Sequence, residues 1–297
     1  LDHVTALREN INIRLMLSAS FASVLIEKVG ALPFVLHLWG TTGFGKTVSL
    51  MVASSIWGNP DMGCLTRSMN ATANSIVRTA SFLYSIPFCA DEMQQIKDRW
   101  GNYDNFIMFV CEGIDRGKAK AKGGVEEQKV WKNAFIFTGE EPVTKANSGG
   151  GVKNRCIEIE VKDKIIEDGN KTANLVKENY GFAGKRFVEY LQGLNEDNIK
   201  ADYKQIFTEI IEGTDTTEKQ AMSMALILLA DRYACECVFA NSSPLSVEEV
   251  KEYLVSAKTI DMPERAYEWV VNWIAENNIR FSDDTDENKG AVWGKIV

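Results

Sequence analysis

One stretch constrains this chain more than any other: Gly40-Thr41-Thr42-Gly43-Phe44-Gly45-Lys46-Thr47, which fits G-x-x-x-x-G-K-[ST]. Glycines there let backbone N–H groups close around phosphate oxygens, and a helix starting at the end of the loop turns its positive end toward the same charge. Lys46 supplies an ammonium for the β- and γ-phosphates, and Thr47 a hydroxyl for Mg²⁺. The flanks agree. The apolar run 34–39 reads as a buried strand, and residues 47–57 as a helix stopped by Gly58-Asn59-Pro60. The expected ligands are ATP and Mg²⁺, held by residues 40–47.

A second apolar run, 84–90, ends in Asp91-Glu92. A strand that delivers two carboxylates is what metal-assisted phosphoryl transfer needs. Asp91 is expected in the Mg²⁺ shell with Thr47, and Glu92 is expected to orient and deprotonate the attacking water. A switch that only binds nucleotide does without such a glutamate; a fast ATPase does not. The run 134–137 leads into Thr138-Gly139-Glu140-Glu141-Pro142, so either Thr138 or Glu140 is placed to touch the γ-phosphate or the water; the alternative is a turn closed by glycine and proline. Arg155 precedes a fourth run, 156–161, after a glycine-rich loop. It is either a finger reaching a neighbouring subunit's phosphates or a solvated surface arginine.

Net charge is −8, from 33 basic and 41 acidic residues, which argues against nucleic-acid binding over the whole surface. Residues 116–132 run against that balance, with six basic and two acidic groups. Gly123-Gly124 between short extended segments suggests a β-hairpin, on which Lys118, Lys120 and Lys122 share one face. They read as a nucleic-acid contact or as the lysines of a blunted edge strand.

Strands alternating with helices imply a mostly parallel sheet with covered faces. The pattern assigns residues 1–163 to this α/β core, with an N-terminal helix over 10–29 stopped by Gly30. Residues 164–280 read as an α-helical subdomain. It includes an apolar helix over 218–239, a capping box at Ser246 and Glu249 opening a helix to about 258, and a further helix opened by Asp261. Residues 281–297 read as a linker or the start of a following domain, and a chain beginning at Leu1 and ending at Val297 reads as a fragment. With two histidines, His3 and His37, a zinc site or a Ser-His-Asp hydrolase has little to be built from. Six cysteines without C-x-x-C spacing read as buried thiols of a reducing, cytoplasmic compartment. No apolar run approaches the roughly 20 residues that cross a bilayer.

In this order the motifs resemble the AAA+ ATPase core of a phage and mobile-element family carried as a domain of unknown function. Its relatives include MCM-like replicative helicases of staphylococcal cassette-chromosome elements and pathogenicity islands. The resemblance runs from Ser18 to Ala22, through Ala90-Asp91-Glu92, Gly117-Lys118, Thr138-Gly139-Glu140 and Arg155, into Glu264-Arg265-Ala266 and Val292-Trp293-Gly294. It implies a P-loop NTPase of the AAA+ kind forming a hexameric ring with ATP sites between subunits, Arg155 acting in trans, and Lys118 to Lys122 lining the channel. Thr138 and Glu140 match the sensor position, where the wider class carries Asn, and Arg265 is the candidate second sensor. The implied function is an ATP-hydrolysing motor that moves along and unwinds DNA, as a single strand or fork. The alternatives are an ATP-switched initiator or loader on DNA, and a remodeller of proteins.

Overall fold

The apolar runs pair side by side because helices cover both of their faces. In the computed structural model, which describes residues 1–96, 102–116, 127–145, 148–240, 242–260, 262–282 and 293–295, five strands form one sheet. They are β1 (Phe34–Gly40), β2 (Thr66–Ser68), β3 (Phe88–Asp91), β4 (Ala134–Gly139) and β5 (Cys156–Val161), in the order β2-β3-β4-β1-β5. Every pairing is parallel. β4 therefore stands between the P-loop strand β1 and the carboxylate strand β3, and the fold is an α/β P-loop NTPase. Register carries the site: Phe137 pairs with His37 on one side and Ala90 on the other. Asp91, Thr138 and Leu38 thus reach the carboxyl edge of the sheet at one level.

The helices of this unit are α1 (Asp2–Leu7), α2 (Ile11–Ala22), α3 (Lys46–Ser55), α4 (Ala73–Leu83), α5 (Asp104–Glu112) and α6 (Gly150–Lys153), then α7 (Gly169–Glu178), α8 (Phe182–Gln192), α9 (Glu196–Gly213), α10 (Glu218–Cys237) and α11 (Val247–Val250). Alternation along the strands sends Leu36, Leu38, Ile136, Ile157 and Ile159 into a core shared with α2, α3 and α10. It sends Val35, Phe135 and Phe137 into a second core with α4 and α5, where Phe88 packs on Phe135 at 5.4 Å and Phe106 on Phe137 at 5.8 Å. α10 is buried along most of its length, as its apolar composition implies. β2, α5 and α7–α9 are elements that the apolar pattern does not mark.

Several boundaries differ from the sequence expectation, each for a local reason. The first long helix ends at Ala22 and tightens to a 3₁₀ turn over Ser23–Leu25, where the Ser23 hydroxyl accepts from the Ala134 N–H at 2.8 Å. Gly30, at φ +69°, closes the following turn. The carboxylate strand starts at Phe88 rather than at residue 84, because Tyr84 has φ +56° and Pro87 has no N–H for the ladder. At Ser246 the expected reciprocal contact forms, with Glu249 accepting from the Ser246 N–H at 2.9 Å. The helix nevertheless lasts only to Val250 and one 3₁₀ turn, and the Val255 carbonyl is taken by the Thr216 hydroxyl at 2.8 Å.

Contacts group the chain into two compact units, residues 1–255 and 256–297. The second unit carries α12 (Ala257–Ile260), α13 (Met262–Glu276) and a two-stranded parallel pair, β6 (Phe281–Ser282) and β7 (Gly294–Lys295). The Trp273 indole stacks on Trp269 at 6.3 Å and on Trp293 at 5.3 Å. Among the described residues no helix is long and apolar enough to cross a membrane.

Candidate active site at the P-loop

Ligands of open α/β sheets bind at the carboxyl ends of the strands, and a cleft of about 650 Å³ lies there, over the P-loop. Its glycines are set by geometry. Gly40 has φ +145°, and a Cβ there would lie 2.5 Å from the Val161 carbonyl oxygen. Gly43 and Gly45 have φ +91° and +97°, values that favour glycine. α3 begins directly after Gly45, so its first N–H groups face the cleft.

Lys46 is buried, and its ammonium donates to the Gly40 and Thr41 carbonyls, each at 2.8 Å. The ammonium is therefore held against the loop backbone. Burial lowers the Lys46 pKa, against the opposing charges of Asp91 and Glu140. The Asp91 carboxylate accepts from Thr47 Oγ1 at 2.7 Å through one oxygen and from the Thr138 hydroxyl through the other. One carboxylate thus ties the helix after the P-loop to the end of β4. Glu140 instead accepts from Thr42 Oγ1 at 2.7 Å, which brings the second sensor-position candidate to the loop itself. Thr47 and Asp91 offer hard oxygen donors, the chemistry Mg²⁺ takes while keeping several waters, so the residues present fit that ion.

Glu92 follows at φ +64°, left-handed for a residue with a Cβ, and its N–H donates to Asp91 Oδ1 at 2.9 Å. Its carboxylate lines the cleft and accepts from the Gln95 side-chain amide. A base held by a third group is an arrangement suited to taking a proton. Beneath the site His37 is fully buried, which lowers its pKa to about 4; the ring hydrogen-bonds the Glu141 carbonyl at 3.0 Å. It is neutral at pH 7.

Arg155 and the base of the expected hairpin lie elsewhere. Arg155 sits at the amino end of β5, where its carbonyl accepts from the Val35 N–H at 2.9 Å and its guanidinium donates to the Gly151 carbonyl at 2.7 Å. It does not line its own chain's cleft. The hairpin base is present at that same end: Ile114 and Val130 form an antiparallel bridge, the Asp115 N–H donates to the Lys129 carbonyl at 2.7 Å, and Trp131 anchors it through Nε1 to the Val110 carbonyl at 2.8 Å. Lys118, Lys120 and Lys122 lie outside the described residues, as does the Arg265 side chain. Five of the six cysteines are buried free thiols; Cys64 is exposed, which departs from the expectation.

The motifs miss part of the cleft wall. Gln94 and the segment 164–170 line it. The Ile165 N–H donates to the Phe44 carbonyl at 3.0 Å, a contact made by tertiary packing and marked by no spacing. The nearest sequence signal is Asp168 before Gly169-Asn170, a helix cap that closes the loop after the last core strand.

Residues 2–130 match the family model described as "Domain of unknown function (DUF927)". A search of curated proteins finds no match. Among solved structures, the chain titled "SCCmec type IV Cch - active helicase" matches with TM-score 0.74 and 19% identity, over 100% of this chain and 59% of that one. The present chain therefore spans somewhat over half of that helicase's length. Both comparisons agree with the resemblance read from the motifs, and the core is helicase-like in fold.

Proposed function

We propose that this P-loop core hydrolyses ATP and that, as a homo-oligomer and most simply a hexameric ring, it uses the energy to move along and unwind DNA. The observation that carries the reading is the Asp91 carboxylate, shared between the Thr47 and Thr138 hydroxyls at the mouth of the P-loop cleft. Thr47 and Asp91 would hold Mg²⁺, which neutralises charge on the phosphates when bound. The Lys46 ammonium exchanges two backbone carbonyls for β- and γ-phosphate oxygens. Glu92, anchored through one carboxylate oxygen by Gln95, takes the proton of the attacking water. Thr138, already on Asp91, reports the state of the γ-phosphate to β4.

The base favours an ATPase over a nucleotide switch. The fold shared with a protein titled an active helicase, and the basic balance of residues 116–132 on an acidic chain, favour movement on DNA. The test is ATP turnover with and without single-stranded DNA. Lys46→Ala is expected to abolish binding or hydrolysis. Glu92→Gln is expected to bind ATP and lose turnover by about 10²-fold or more. A Glu92→Gln chain hydrolysing at the wild-type rate overturns the base assignment. Turnover stimulated by a protein substrate rather than by DNA favours the remodeller.

A further inference from the structure

The two ends of the cleft differ in chemistry. At one end stand Asp91, Glu92 and Glu140, carboxylates suited to a metal ion and an attacking water. The other end is built by residues 164–170. A P-loop grips phosphates in a fixed sense: the lysine reaches the β- and γ-groups, while the α-phosphate lies on the backbone N–H groups at the start of the following helix. Whatever is attached to the α-phosphate leaves the loop past Val48. The segment 164–170 stands there. A Cβ on Gly169 would lie 3.5 Å from Val48 Cγ2, and one on Gly45 would lie 3.1 Å from Ile166 Cβ.

We infer that residues 164–170 form the nucleoside end of the cleft and select adenine, an inference that rests on the nucleotide-binding reading above. Val48 and Ile166 offer an apolar wall for a flat ring. Two polar side chains flank it. Asn170 is exposed and makes no side-chain hydrogen bond among the described residues. Asp168 uses Oδ1 to cap α7 through the Lys171 N–H at 2.9 Å, which leaves Oδ2 as an acceptor. A carboxamide matches an adenine edge, giving its N–H to N7 and its oxygen to the N6 amino group. The Asp168 oxygen is a second acceptor for that amino group. Guanine presents O6 in the same place, so both oxygens would face an acceptor.

The experiment separates base from phosphate. Binding of ADP, GDP and inorganic tripolyphosphate, each with Mg²⁺, is measured by calorimetry on the wild-type chain, on Asn170→Ala and on Asp168→Asn. The wild type is expected to prefer ADP to GDP. Asn170→Ala is expected to lose about ten-fold in ADP affinity, to keep tripolyphosphate affinity within about two-fold, and to bring the ADP-to-GDP ratio toward one. Asp168→Asn retains an oxygen for the cap and is expected to narrow that ratio without unfolding α7. Equal weakening of ADP and tripolyphosphate in Asn170→Ala, or an unchanged ratio in both variants, overturns the inference. A wild-type chain that binds tripolyphosphate but does not distinguish ADP from GDP overturns the base reading alone. A chain that binds none of the three overturns the phosphate cradle and this inference with it.

Discussion

Thr138 is the first candidate in the sequence and Glu140 the second, and the structure gives them different partners. Thr138 touches Asp91, and Glu140 touches Thr42. Thr138→Val removes one hydroxyl and keeps the shape, so nucleotide binding should persist while hydrolysis falls about ten-fold, read from kcat against KM. Gly40 is different in kind, since any Cβ meets the Val161 carbonyl oxygen at 2.5 Å. Gly40→Ala should destabilise the chain by about 3 kcal/mol, visible as a lower midpoint in urea. Glu92 holds a conformation that costs a residue with a Cβ about 1 kcal/mol. Glu92→Gly is therefore expected to raise stability by up to about 1 kcal/mol while abolishing turnover, the opposite signs being checked by urea unfolding and an ATPase assay on one preparation.

At the scale of elements, α2 and α10 are joined through one buried acid. Asp231 accepts from Arg8 at 2.7 Å, from Arg14 at 2.7 Å and 3.2 Å, from the Ser18 hydroxyl at 2.9 Å and from the Leu245 N–H at 2.8 Å. Burial alone would raise its pKa, but the Arg14 hydrogen bond and the charges of Arg8 and Arg14 outweigh burial and hold it below the usual carboxylate value. Asp231→Ala strands the buried Arg8 and the half-buried Arg14 and should destabilise by roughly 3–5 kcal/mol. A carboxylate with a lowered folded pKa stabilises fully above its unfolded value, about pH 4, and loses that contribution as pH falls through the folded value. Urea unfolding between about pH 2 and 5 should therefore show a shallower acid limb in Asp231→Asn than in the wild type. The hairpin element is proposed to grip nucleic acid. With Lys118, Lys120 and Lys122 replaced by Ala, the salt slope of single-strand binding should flatten by about two units, at roughly 0.7 per lost phosphate contact. An unchanged slope would make the hairpin a protected edge.

For the molecule as a whole, the amino and carboxyl ends of the sheet carry different groups. Strands of this length place the two ends about 20 Å apart. Lys46, Asp91, Glu92 and Thr138 are at one end, Arg155 and the hairpin base at the other. Arg155 is proposed to serve a neighbour's cleft because its own is beyond reach. Arg155→Ala should bind nucleotide and hydrolyse it poorly, and mixing it with Lys46→Ala subunits should restore partial turnover at hybrid interfaces. Mixtures that never exceed either parent at any ratio would count against the trans role.

The sequence by itself determined the fold class and marked the loop proposed to hold phosphate. Gly40, Gly45, Lys46 and Thr47 fall within one loop and the first turn after it, and short spacings record such local geometry. The apolar runs marked β1, β4 and β5 closely, because a buried parallel strand is an unbroken apolar stretch. Tertiary structure alone decided the rest. Asp91 meets Thr138 because β4 inserts between β1 and β3, and the pairing order of strands is not written in the spacing of residues along the chain. The segment 164–170 reaches the cleft because Ile165 hydrogen-bonds Phe44 across the sheet edge, a contact between residues with no shared pattern. Arg155 was legible as a residue, but its distance from its own P-loop was not. Strand direction and length set that separation, and they exist only once the sheet has formed.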